Sequence, residues 1–139
     1  MRSVVVGAAG LPLLARRAAA QPAPDPFAEL HRAADPAHPT AEERVRAAVV
    51  TLPARIRAGR PFELGVAVGT PVREDTAEDF VEWIEIRAGD QRVARVELGA
   101  GTALPSVRLT MRVTEATTLR VLAMWSRNGL WETTRPLAV

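Results

Sequence analysis

The feature that most constrains this chain is a period of two. Phe62, Leu64, Val66 and Val68 alternate with Glu63, Gly65 and Ala67. "VRLTMRV" repeats the pattern with Val107, Leu109, Met111 and Val113, and "TTLRVLAMW" repeats it with Leu119, Val121, Ala123 and Trp125. Successive side chains of an extended strand point to opposite faces, so these runs predict half-buried strands and fit no one-sided helix. "FVEWIEIR" (Phe80 to Arg87) and "RVARVEL" (Arg92 to Leu98) flank "AGDQ", which predicts a hairpin. "RAAVVTL" (Arg46 to Leu52) and a last run from Leu130 to Ala138 bring the count to about seven short strands. There is no strand–helix alternation and no internal repeat. The expected fold is all-β: an immunoglobulin-like antiparallel β-sandwich over residues 43–139.

Ahead of the strands the chain changes character. Arg2 precedes an apolar run from Val4 to Ala15, and "RRAAAQPAP" follows it. Ala18-Ala19-Ala20 places small residues where a signal peptidase inspects them, so residues 1–20 are expected to be a signal peptide cleaved after Ala20. Arg16-Arg17 follows the apolar run and is not a twin-arginine motif as it stands. Five prolines between Gln21 and Thr40 predict a linker over residues 21–42, with one helical turn from Pro26 to Ala33. Thr40-Ala41-Glu42-Glu43 matches a capping box that opens a second short helical turn.

The leader also decides the charge. The full chain carries 18 basic residues, all arginine, against 16 acids. Residues 1–20 contain three of the arginines and no acid, so the mature form holds 15 against 16, a net charge of −1. No basic stripe interleaved with aromatics remains, which argues against nucleic acid, and no membrane association is expected of the mature form. Cysteine is absent, so disulfides, thiolate nucleophiles and thiolate metal ligands are excluded. The expected location is periplasmic or secreted, and the expected partner is an unidentified protein or a second copy of the chain.

"TAEDFVEWIEIRAGDQRVARVEL" (Thr76 to Leu98), followed in order by "GLWE" (Gly129 to Glu132), resembles the iron domain of desulfoferrodoxins and superoxide reductases. "LPARIRAGRPFELGVAVG" (Leu52 to Gly69) is similar to that family's proline-led strand pair. The resemblance implies a mononuclear iron held by four histidines and an axial cysteine, reducing superoxide to peroxide. Its ligand positions fall here on Arg46, Arg73, Asp79, Trp125 and Asn128. Arginine is permanently protonated and has no lone pair to offer, and the indole nitrogen only donates. The resemblance therefore points to a member without the metal ligands, with no cofactor and a non-catalytic binding or structural role. The alternative within the family is a superoxide reductase with an atypical metal centre. A weaker likeness runs to SoxY-type sulfur-oxidation carriers, through "DPFAEL" and "TAEDFV". Those carriers end in a cysteine-bearing tail that "TTRPLAV" lacks, so this chain would be an accessory in periplasmic sulfur or redox metabolism.

Two readings of the altered positions follow. In the first, Arg46, Arg73 and Arg127 with the acidic loop "REDTAED" replace the metal by salt bridges. In the second, the same three arginines capture an oxyanion such as sulfite, thiosulfate or phosphate. The acidic loop lacks the ligand spacing of an EF-hand. His31 and His38 are expected to be solvated linker residues outside the sandwich, and Trp83, Trp125 and Trp131 to be core.

Overall fold

The structure is a computed structural model that describes residues 29–69 and 79–139. Strand β1 (Leu30–His31) leads to helix α1 (Ala41–Arg46) and then to β2 (Ala48–Thr51) and β3 (Phe62–Val68). After them come β4 (Val81–Ala88), β5 (Gln91–Glu97), β6 (Ser106–Met111), β7 (Thr117–Trp125) and β8 (Gly129–Leu137). Five strands form one sheet in the order β1-β8-β7-β4-β5, and three form the other in the order β2-β3-β6. Every pairing is antiparallel except β1 with β8. The sandwich and all seven expected strands are present. Among the described residues no helix is long and apolar enough to cross a membrane.

The core lies between the sheets. Leu64, Val66 and Val68 from β3 face Ile84 and Ile86 from β4 and Leu119, Val121 and Ala123 from β7, all at most 2% exposed. Burying each aliphatic side chain of this kind contributes about 1.5–3 kcal/mol. The β4–β5 turn is tight because Ala88 pairs directly with Gln91, and Gly89 takes the φ of +59° that such two-residue turns demand.

Three local expectations change. The described part of the Pro26–Ala33 turn is extended, not helical: Leu30 and His31 pair in parallel with Leu130 and Trp131. An open edge on β8 offers this proline-rich segment the backbone partners that a single helical turn would leave unmade. His31 is therefore part of the sandwich edge, where its ring stacks on Trp131 with centroids 5.2 Å apart. The third change concerns Trp83, which is only half-buried. A bulge between Val81 and Trp83 puts an extra residue in β4. It lets Val81 face inward together with Ile84 and Ile86 and turns Trp83 to the outer face. There the Arg95 guanidinium lies 4.0 Å from the ring centroid.

Candidate functional site

Three elements meet at one end of the sandwich. The first is α1, whose start is fixed by the expected capping box. Glu43 N–H donates to the Thr40 hydroxyl at 3.2 Å, and the Glu43 carboxylate accepts from Thr40 N–H at 2.7 Å. The same carboxylate accepts from Ala34 N–H at 3.1 Å, tying the helix to the segment that follows β1. These N–H donors, from Thr40 first and then Ala34, hold the Glu43 carboxyl below its ordinary value. The helix ends at Arg46, its last residue, just before β2.

The second element is the β7–β8 hairpin. Trp125 pairs with Gly129 across the three residues Ser126, Arg127 and Asn128. Gly129 closes the turn at φ +74°, the left-handed position that a three-residue hairpin loop favours. The third element is the approach to β4. Phe80 N–H donates to the Ser126 hydroxyl at 3.1 Å, and Ser126 N–H donates back to the Phe80 carbonyl at 2.9 Å. This reciprocal pair sets Asp79 beside the hairpin loop.

Four of the five positions singled out from the sequence converge here. Asp79 forms a salt bridge with Arg46 through Oδ2, and the same oxygen accepts from Asn128 Nδ2 at 2.8 Å. Its Oδ1 accepts from the Arg127 backbone N–H at 3.4 Å. Arg46 and Asp79 side chains are only 18% and 20% exposed. Trp125 closes the cluster from beneath. Its indole N–H donates to the Arg46 carbonyl at 3.2 Å, and the Arg46 guanidinium carbon lies 4.5 Å from its ring centroid. The buried Arg46 Nε has no hydrogen-bond partner among the described residues. Contact of the guanidinium with the negative face of the indole offsets part of that cost.

The cluster neutralises itself, one cation against one carboxylate, with an amide and a backbone N–H filling the remaining carboxylate sites. Of the arginines considered for oxyanion capture, Arg46 aims its guanidinium at Asp79, Arg127 supplies a backbone donor, and Arg73 lies outside the described residues. The acidic residues Glu74, Asp75 and Glu78 lie outside them too. Among the described residues, no group of three or more His, Cys, Asp or Glu side chains is placed to hold a metal ion.

The "GLWE" run has a role for each letter. Gly129 makes the turn, and Leu130 is buried at 2% exposure. Trp131 donates to the Asn128 carbonyl at 3.3 Å while stacking on His31. Glu132 is buried and binds Arg32 at 2.7 Å and Arg120 at 2.6 Å. A matching arrangement surrounds buried Glu85, which pairs with Arg87 at 2.9 Å and with Arg92 and Arg95 at 3.5 Å. Sequence reasoning missed this charged layer on the outer face of the larger sheet. Its only trace was the same-face spacing of Glu85 and Arg87 in "WIEIR".

A family model described as Desulfoferrodoxin matches residues 38–134. Among solved structures, a variant of the superoxide reductase (neelaredoxin) from Ignicoccus hospitalis superposes with a TM-score of 0.67 at 21% identity, over 80% of this chain and 94% of that one. The superoxide reductase from Nanoarchaeum equitans gives 0.59 at 15% identity, over 68% and 94%. A variant of the neelaredoxin from Archaeoglobus fulgidus gives 0.58 at 20%, over 70% and 91%. No curated protein sequence matches this one. At these identities the structural likeness speaks to the fold alone.

Proposed function

Because the chain belongs to the desulfoferrodoxin family, we propose that it is a superoxide-reductase-like domain whose iron site has been replaced, and that it serves as a non-catalytic binding or structural protein outside the cytoplasm. One observation carries this reading: Arg46, Asp79, Asn128 and Trp125 are bonded to one another at the positions that the family resemblance assigns to metal ligands.

The donor set does not fit the iron. Arg46 contributes a permanent positive charge where a cation would have to sit, and it has no lone pair. Trp125 contributes an N–H donor, already directed at a carbonyl, and a ring that fills the space of a small thiolate. That leaves the oxygens of Asp79 and Asn128 as the donors of the cluster. They are hard ligands, without the imidazoles and thiolate that hold iron and set its potential. The Asp79 carboxylate is moreover already neutralised.

Metal analysis of the protein purified from its own host, together with a superoxide consumption assay, tests the reading. The expected result is far less than one iron per chain and no catalysed consumption. One iron per chain with catalysed consumption would instead establish an atypical metal centre. The proposed export has a separate readout: the mature protein should begin at Gln21 in the mass spectrum of an extracytoplasmic fraction.

A further inference from the structure

The sandwich is not evenly closed along its sides. β1 pairs with β8 only at Leu130 and Trp131. The chain then leaves the sheet at Arg32 and arches through residues 32–39 into α1. Beyond Trp131, β8 therefore has no strand beside it on that flank, and β2, bonded only to β3, turns its other edge toward the same gap. The two edges are stitched by Ala48 N–H donating to the Thr133 hydroxyl at 3.2 Å. Arg135 also donates to the Val50 carbonyl at 3.2 Å. Above these stitches, the arch stands off and borders an open cavity of about 330 Å³.

Its lining is mostly short and apolar, from Ala33, Pro36, Pro39, Ala47, Ala48 and Val49, with two threonines of β8, Thr133 and Thr134, beside them. Its charged lining residues are Arg32 and Arg44, both exposed, and Glu132, whose side chain is buried. Glu132 is fully committed to Arg32 and Arg120, so it does not repel an anion. The Arg44 side chain is exposed and makes none of the ion pairs found among the described residues. The rim thus carries an excess of positive charge over an apolar pocket, at the lower end of the size range of small-molecule sites.

We propose that this cavity binds a small amphipathic carboxylate, a short-chain alkyl or aryl acid. Its apolar body would fill the hollow beneath residues 33–39 and its carboxylate would pair with Arg44. A bare oxyanion does not suit the apolar walls, and a neutral apolar molecule gains nothing from the exposed Arg44 beside them. A folded partner is too large for a cavity of this volume. None of Arg46, Asp79, Trp125 and Asn128 lines it, so this site stands or falls independently of the reading of the lost iron centre.

Titration of the full chain with hexanoate, followed by calorimetry and NMR, is the test, with hexanol and inorganic phosphate as comparison probes. Hexanoate is expected to bind saturably with one site per chain, and its methyl group to show nuclear Overhauser contacts to the methyls of Ala33, Ala47 and Val49. Affinity should fall about three- to fivefold for hexanol and for the Arg44→Gln variant, the scale of one exposed ionic contact. Ala33→Trp, which fills the cavity, should abolish binding while melting like the parent. Absence of saturable hexanoate binding to the parent chain overturns the proposal. So do contacts from hexanoate to other residues, or an affinity that Arg44→Gln leaves unchanged. If Ala33→Trp lowers the melting temperature, the contact pattern and Arg44→Gln decide alone.

Discussion

Truncating Arg46 to alanine removes the cation from a cluster about four-fifths buried, and the consequence can be worked from its contacts. One charge-assisted hydrogen bond to Asp79 disappears, worth about 1.5–3 kcal/mol. The contact with the Trp125 ring goes as well, worth about 0.5–2 kcal/mol. Asp79 keeps Asn128 Nδ2 and the Arg127 N–H, which limits the penalty for its stranded charge. The expected loss is about 2–4 kcal/mol, against about 0–1 kcal/mol for an exposed pair. In a domain of this size, at roughly 5 °C per kcal/mol, the melting temperature should fall about 10–20 °C. Urea unfolding followed by tryptophan fluorescence measures it, and a double-mutant cycle with Asp79→Ala isolates the pairwise coupling at about 1–3 kcal/mol. Arg46→Lys should recover only part, because an ammonium keeps the charge but loses the planar face against the indole. A coupling below about 0.5 kcal/mol would refute the claim that this ion pair holds the end of the sandwich together.

Glu132→Ala leaves Arg120, three-quarters buried, without its carboxylate partner, while the exposed Arg32 stays solvated, and should cost about 1–3 kcal/mol in chemical denaturation; a neutral result would show that the charged layer is only surface decoration. Gly129→Ala meets no close atom, the nearest being His31 at 3.7 Å, yet it should cost about 1–2 kcal/mol because φ is +74° there. The Glu43 carboxyl is lower in the folded state than in the unfolded one, so its cap stabilises α1 fully above the unfolded value. That contribution is lost as pH falls through the folded value. The amide resonances of Ala34 and Thr40 should therefore titrate together with a midpoint below 4.5, and a midpoint at or above that value contradicts the capping geometry. Last, a variant carrying Arg46→His, Arg73→His, Asp79→His, Trp125→Cys and Asn128→His should gain ferrous iron binding, read by metal content and a thiolate-to-iron absorption band. A variant that folds and still takes up no iron would show that the loss extends beyond the five positions.

The strands were legible because each carries its own signal. Alternation in β3, β6 and β7 needs only a half-buried sheet to become physical, and the capping box at Thr40 and Glu43 is complete within four residues. β1 was not legible, since two residues have no period and their partner lies 100 positions away. Trp83 was misplaced for a related reason. Alternation alone puts Val81 and Trp83 on one face, and only pairing with β7 reveals the bulge that separates them.

By itself, then, the sequence determined the sandwich, seven of its eight strands, and the absence of thiolate and imidazole at the positions the family resemblance marks out. All of these depend on residue type and local spacing. Tertiary structure decided what stands in their place. Arg46 and Asp79 are 33 residues apart, and Asp79 and Asn128 are 49 apart. No local pattern relates them; they meet because strand register brings the end of α1, the start of β4 and the β7–β8 turn to one corner. The same register leaves β2 and β8 imperfectly joined, and the cavity beneath residues 33–39 is a consequence of topology that no stretch of the chain announces.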